Sequence, residues 1–258
     1  MLPQEYRHRV RDIYVRLLRK GTGRTLLFLH GANGIPPWNA FFEQLASRYN
    51  VLVPEHPGFG TPENATQIRN VADLAMYYLD FLDTLDAGPV HLVGFSLGGW
   101  TAAELAIRNC SKLANLCLIS PAGIRVKGIQ SGDNFIWSPE EAVRNLYHDQ
   151  SLADRMLSVT LSEEEADRQL TNRFMAARLG WEPRWFNPAL ERWLHRIQVP
   201  SFLLWGENDK LMPSAYAKRW QELVPDLRVE FIAGCGHLPH IEKAEVSADA
   251  ILRFLEGK

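Results

Sequence analysis

The chain has 258 residues, 46% of them hydrophobic and 22% charged, with a formal net charge of −2. That balance fits a globular protein of one large domain, or of a domain with an insertion, and supplies no field that would gather nucleic acid or an anionic membrane surface. Three scattered cysteines, Cys110, Cys117 and Cys235, lack the CxxC spacing of a zinc site and are odd in number, which argues against a disulfide framework and for a reducing, cytoplasmic setting.

The opening segment, MLPQEYRHRVRDIYVRLLRK, is studded with arginines and has no continuous apolar core. It reads as neither a secretory signal nor a membrane span. Its mixture of apolar and basic residues, ending in glycines, predicts two short edge strands joined by a turn. TLLFLHG (25–31) is a nearly unbroken apolar run, as expected of a strand buried on both faces. The same expectation holds for NVLVPEHPG, PVHLVGFS, LANLCLISP, PSFLLWGE and LRVEFIAG. Helical segments fall between them. WNAFFEQLASRY follows the first buried run, and Val71, Leu74, Tyr78, Leu82 and Leu85 recur at helical spacing in the next. GGWTAAELAIRN begins just after Ser96. Buried strands alternating with helices predict an α/β fold, a mostly parallel eight-stranded sheet with helices on both faces.

The alternation stops over residues 122–196, where no buried strand is legible. Three helix starts appear instead: a capping box at Ser138-Pro139-Glu140-Glu141, a second at Ser162 with Glu165, and Asn187-Pro188 before ALERWL. The expected organisation is a core of residues 1–121 and 197–258, interrupted by a helical cap at 122–196. No repeats or low-complexity tracts are present.

Gly94-Phe95-Ser96-Leu97-Gly98 joins a predicted strand to a predicted helix. Glycines two residues to either side allow a turn tight enough to push the serine hydroxyl out over the sheet. A serine hydroxyl is a poor nucleophile unless a base takes its proton and an acid orients the base. Those partners are expected on loops after later strands. Glu207 and Asp209 follow SFLLWG, and His237 follows VEFIAG.

Serine, acid and histidine in this order, together with FLHG, PEHPGFG, GFSLGG, GENDKLMP and GHLPHIE, resemble the α/β-hydrolase superfamily, in its capped, esterase-like form, over nearly the whole chain. The resemblance implies Ser96 as nucleophile, His237 as base and Asp209 as acid, since the glycine-x-x-aspartate pattern selects Asp209 over Glu207. It also implies an oxyanion hole built from the backbone N–H groups of Leu97 and Ala32, with Asn33 as the alternative to Ala32. Glu55 stands where relatives usually carry aspartate. His30 is expected to brace its loop, and His240 to cap a helix or face solvent. Cys235 is expected to be a buried, inert thiol.

The cap holds Trp137, Trp181, Trp185 and Trp193 with Phe135, Tyr147, Phe174 and Phe186. Trp137, Trp181 and Trp185 are the substrate-binding candidates, although such aromatics equally suit the small domain's own core. Arg125, Arg144, Arg173 and Arg178 could hold a carboxylate but better suit solvated helix faces. The activity implied is hydrolysis of a small uncharged ester or lactone through an acyl-serine, with no metal and no cofactor. A carbon–carbon bond hydrolase of ring-cleavage products, a perhydrolase or an acyltransferase could use the same triad. A ligand receptor on this scaffold is the reading of another class. The serine argues against the dehalogenases and epoxide hydrolases, whose nucleophile is an aspartate.

Overall fold

The computed structural model describes residues 2–60 and 65–257. The strands are β1 (Gln4–Val10), β2 (Ile13–Lys20), β3 (Thr25–Leu29), β4 (Asn50–Pro54), β5 (Val90–Phe95), β6 (Leu113–Ile119), β7 (Ser201–Gly206) and β8 (Arg228–Ile232). They form one sheet in the order β1-β2-β4-β3-β5-β6-β7-β8. The β1–β2 and β2–β4 pairs are antiparallel, and every other pair is parallel.

All residues of β3, β5 and β7 are buried. Successive side chains point to opposite faces, so the sheet is covered on both. Each Leu or Phe so placed contributes about 1.5–3 kcal/mol relative to exposure. The cover comes from α1 (Ala40–Ala46), α2 (Val71–Asp83), α3 (Leu97–Arg108), α7 (Tyr216–Leu223), α8 (Pro239–Glu242) and α9 (Ala244–Leu255). α1 packs with α9, and α2 with α3. β8 departs from the expected burial on both faces. It has one neighbour only, four of its five residues are exposed or half-buried, and Phe231 is open to solvent.

Between β6 and β7 lie α4 (Pro139–Leu146), α5 (Gln150–Leu157) and α6 (Glu163–Gly180). Both capping boxes form as the sequence predicts, at Ser138 with Glu141 and at Ser162 with Glu165. α5 was not legible in advance; its start is an aspartate cap, Asp149 accepting from Ser151 N–H at 2.9 Å. ALERWL does not become an α-helix. It forms two 3-10 turns, Leu190–Arg192 and Leu194–Arg196. Asn187 caps the turn that leads into them, its Oδ1 accepting from Ala189 N–H at 2.9 Å, while its N–H donates to Gly123 O and its Nδ2 to buried Glu104 of α3. Gly123 and Phe186 pair as an isolated bridge, so the two ends of the insertion meet beside α3. Among the described residues, no helix is long and apolar enough to cross a membrane.

The chain leaves β3 toward β4 on one side and returns to β5 on the other. In an open parallel sheet such a reversal opens a crevice at the carboxyl ends of the two strands. The loops after β3 and β5 flank it, and those after β7 and β8 lie along the same edge.

Candidate active site

β5 ends at Phe95 and α3 begins at Leu97, so Ser96 alone makes the strand-to-helix turn. It does so at φ 52° and ψ −112°, a conformation that non-glycine residues rarely adopt and that costs on the order of 1–3 kcal/mol. Its neighbours hold it there. Ser96 N–H donates to Ile119 O at 2.9 Å, and Ser96 O accepts from Trp100 N–H at 3.0 Å and Ala122 N–H at 3.2 Å. A side chain on Gly98 would collide with the carbonyl oxygens of Leu29 and His30, so glycine is what lets α3 sit down on the end of β3.

Ser96 Oγ lies 3.0 Å from His237 Nε2, and His237 Nδ1 lies 2.7 Å from Asp209 Oδ2. All three residues are buried. Asp209 Oδ1 accepts from the N–H groups of Leu211 at 2.9 Å and Met212 at 2.8 Å, and Oδ2 accepts from Trp205 Nε1 at 3.1 Å. These partners can only donate, so both carboxylate oxygens serve as acceptors. The proton of the imidazole therefore sits on Nδ1 and donates to Asp209, leaving Nε2 to accept from the serine hydroxyl. That is the tautomer a general base needs. Glu207 is exposed and takes no part in this chain of bonds.

The loops that carry Asp209 and His237 are tied to each other and to the insertion. Asn208 N–H donates to Cys235 O at 2.9 Å, and His237 N–H donates to Leu146 O at the end of α4 at 2.8 Å. Glu242 accepts from Gly236 N–H at 2.6 Å, His148 N–H at 2.7 Å and Asp149 N–H at 3.1 Å. One carboxylate thus joins the histidine loop to the junction of α4 and α5. Cys235 is fully buried, and burial pushes its thiol pKa up, away from reactivity.

On the other side of Ser96, residues 31–34 form a turn closed by Gly34 N–H donating to Gly31 O at 3.2 Å. The space beside Gly31 is bounded by the Phe95 ring and Ser96 Cβ. Gly31 O also accepts from His30 Nδ1 at 2.7 Å. Because a trans peptide is planar, fixing this carbonyl fixes the Ala32 N–H to point the opposite way. Leu97 is the first residue of α3, so its N–H has no acceptor within the helix and stands at the positive end of the helix dipole.

His30 is in turn held by His56. His56 N–H donates to His30 Nε2 at 2.8 Å, His56 Nε2 donates to His30 O at 2.8 Å, and His56 Nδ1 accepts from Tyr78 Oη at 2.6 Å. Both rings are neutral in this arrangement. His240 neither caps a helix with its side chain nor faces solvent, contrary to expectation. α8 tucks it among Phe28, Phe41 and Phe95, where it is 1% exposed.

Burial holds His30 at about 4 and, with a smaller effect from nearby His237, His240 at about 3; it also puts His56 well below its ordinary value. All three are neutral when folded and free to protonate when unfolded. As pH falls below about 6.5 the unfolded chain binds more protons than the native one, so stability is complete above that pH and declines from there through about 4 for His30 and about 3 for His240. The melting temperature should fall steadily between pH 7 and pH 5; a flat profile would contradict this account.

The three candidate tryptophans pack mainly within the insertion. Trp185 is buried, stacks on Phe135 at 4.9 Å and donates to Asn134 Oδ1 at 2.8 Å. Trp181 is half exposed, with the Arg184 guanidinium 3.9 Å above its ring. The Trp137 ring covers Gly132, whose N–H donates to Leu211 O in the acid loop at 2.9 Å. Arg144 pairs with Glu140 and Asp154, and Arg178 donates to Thr66 O. Among the described residues, no group of three or more His, Cys, Asp or Glu side chains is arranged to hold a metal ion.

Several supporting residues escaped the sequence reading. Trp205, four residues before the acid, and Glu242, five after the base, both lie inside motifs that were read only for their centres. His56, beside Glu55, is bonded to His30, which in turn holds the 31–34 turn.

The model of the alpha/beta hydrolase family matches residues 26–250. The chain is 28% identical to a 2-hydroxy-6-oxononadienedioate/2-hydroxy-6-oxononatrienedioate hydrolase of Burkholderia vietnamiensis, over 91% of this chain and 88% of that one. It is 29% identical to the dihydrolipoyllysine-residue acetyltransferase component of the acetoin cleaving system of Cupriavidus necator, over 96% of this chain and 68% of that one. A solved structure of a membrane phospholipase A, described as a bacterial virulence factor, superposes with a TM-score of 0.82 at 25% identity, covering 99% of this chain and 86% of that one.

Proposed function

The chain belongs to the alpha/beta hydrolase family, and from that premise we propose that it is a serine hydrolase of small, uncharged carboxylic esters or lactones. The observation that carries the reading is the continuous hydrogen-bonded chain from Ser96 through His237 to Asp209, with the imidazole in the basic tautomer. Ser96 Oγ attacks the ester carbonyl carbon as its proton passes to His237 Nε2. The oxyanion of the tetrahedral intermediate accepts from the N–H groups of Ala32 and Leu97. The intermediate collapses as His237 protonates the departing alkoxide, leaving an acyl group on Ser96. Water then attacks the acyl carbon, gives its proton to His237, and the acid leaves as Ser96 recovers its own.

Residues 122–196 act as a cap over the site in this reading. It is supported by the bonds that α4 and α6 make to the loops beside the triad. The aromatic residues of the cap favour an apolar substrate portion, and of Trp137, Trp181 and Trp185 the first has most support because it covers a residue bonded to the acid loop. Hydrolysis of a carbon–carbon bond in a ring-cleavage product is the second reading, and similarity to the Burkholderia hydrolase favours it.

Rapid mixing with an activated aryl ester should release alcohol in a burst whenever deacylation is slow, and mass spectrometry of the quenched enzyme should find the acyl group on Ser96. A slowly turned-over ester that never labels Ser96 would overturn the covalent route. Turnover of 2-hydroxy-6-oxo-dienoates with none of any ester would move the assignment to the second reading.

A further inference from the structure

We propose that Asn172, on α6 of the insertion, is a positioning residue of the oxyanion hole, so that the insertion helps to build the catalytic centre as well as to cover it. The proposal rests on the assignment of Ala32 to that hole.

Asn172 is 4% exposed in the middle of an 18-residue helix whose other polar side chains mostly face solvent. Burying a primary amide is costly unless its hydrogen bonds are met. They are met by two loops of the core. Asn172 Nδ2 donates to Asn33 O at 2.9 Å, and Asn172 Oδ1 accepts from Gly60 N–H at 2.7 Å. A carbonyl can only accept and an amide N–H can only donate, so one orientation of the side chain satisfies both partners.

Asn33 O belongs to the 31–34 turn that presents Ala32. His30 holds the first peptide of that turn through Gly31 O, and Asn172 holds the last through Asn33 O. The turn is therefore gripped at both ends, once from the core and once from the insertion. Room for the second grip comes from Gly34. It lies at φ +91°, and a Cβ there would collide with Asn172 Nδ2. Met175, one turn further along α6, packs against Gly58 and seats the helix beside the same loops.

An oxyanion donor stabilises charge only when it already points at the place where the charge will develop. Loosening one end of the turn should therefore slow chemistry more than it weakens ground-state binding. Asn172→Asp keeps the volume and the acceptor for Gly60 N–H but sets an oxygen against Asn33 O. Asn172→Leu removes both bonds. Each should lower kcat for an activated ester by about tenfold or more with KM changed by less than about threefold. Affinity for a trifluoromethyl ketone, which forms a tetrahedral adduct on a serine, should fall by a similar factor, while affinity for the product acid should hold. Gln169→Ala, a change at an exposed position on the same helix, should leave both near wild type.

A folded Asn172→Asp enzyme with unchanged kcat, or with only KM raised, would overturn the proposal. So would loss of fold in both Asn172 variants, which would make the amide a support of the whole chain. Failure of the serine-hydrolase reading itself is distinguishable, because then Ser96→Ala would also retain activity, and a drop in trifluoromethyl ketone affinity for an Ala32→Pro variant, which lacks that N–H, checks Ala32 directly.

Discussion

Replacing Ser96 with alanine should reduce ester hydrolysis by about a thousandfold or more while the fold survives. The change removes one buried oxygen whose partner, His237 Nε2, can remain an unprotonated acceptor or take up a water. The backbone bonds that fix the turn, from Ser96 N–H to Ile119 O and from Trp100 and Ala122 N–H to Ser96 O, are independent of the side chain. Alanine must still adopt the strained conformation at φ 52°, but serine bears that strain as well, so stability should change little. What is lost is the hydroxyl that is hydrogen-bonded to the base and can become a covalent nucleophile. The variant should show wild-type circular dichroism, no burst and no acyl adduct. Near-wild-type turnover in a folded Ser96→Ala protein would refute the nucleophile assignment.

Asp209→Asn is expected to cost a similar factor, about a thousandfold or more, and to exceed Glu207→Gln by nearly all of it. An asparagine at 209 must still accept from Leu211 and Met212 N–H with its one oxygen. Its amide nitrogen then faces His237 Nδ1 and Trp205 Nε1, both donors. The imidazole can relieve that clash only by moving its proton to Nε2, and it then ceases to be a base toward Ser96. The imidazolium formed in the reaction also loses its counter-charge. Glu207 is exposed and touches none of these groups, so Glu207→Gln should stay within about twofold of wild type, as surface substitutions usually do. Comparing kcat/KM for the two variants on one ester decides the matter. If Glu207→Gln were the more damaging, the acid would be Glu207.

Much of this was legible because local rules and global fold agree. The buried strands are continuous apolar runs, which only a sheet covered on both sides can use, and β3, β5 and β7 are buried throughout. The capping boxes at Ser138 and Ser162 are local hydrogen-bond patterns within four residues, so nothing distant was needed to predict them. The failures share a physical origin as well. Eight residues from Asn187 look helical in isolation, and Asn187 Oδ1 does accept from Ala189 N–H, but the run is tied to Gly123 and Glu104 at its start and continues only as two 3-10 turns. The run before Gly234 looks like a doubly buried strand, yet β8 is the edge strand of the sheet, where the helices cover its faces only in part and four of its five residues are exposed or half-buried. His240 looks like a polar helix start, yet the chain turns it in among three phenylalanines.

Short stretches of the chain carry the order of elements and the chemistry available at the strand ends. Apolar period, capping residues and the glycines around Ser96 act over a few residues and leave their mark in the letters. The same stretches carry a serine, an acid and a histidine on the loops after β5, β7 and β8, along one sheet edge, because parallel strands deliver their carboxyl ends to the same side. Which supporting groups converge on them depends on how distant parts of the chain pack together. Trp205, Glu242, His56 and Asn172 each act through a hydrogen bond whose geometry depends on how the loops fold, and most reach residues far along the chain. Asn172 meets Asn33 across 139 residues, and no local pattern can encode a bond formed only when α6 settles on the turn after β3. Burial made the same choice for the histidines, keeping His30, His56 and His240 neutral in the interior while leaving His237 between a carboxylate and a hydroxyl.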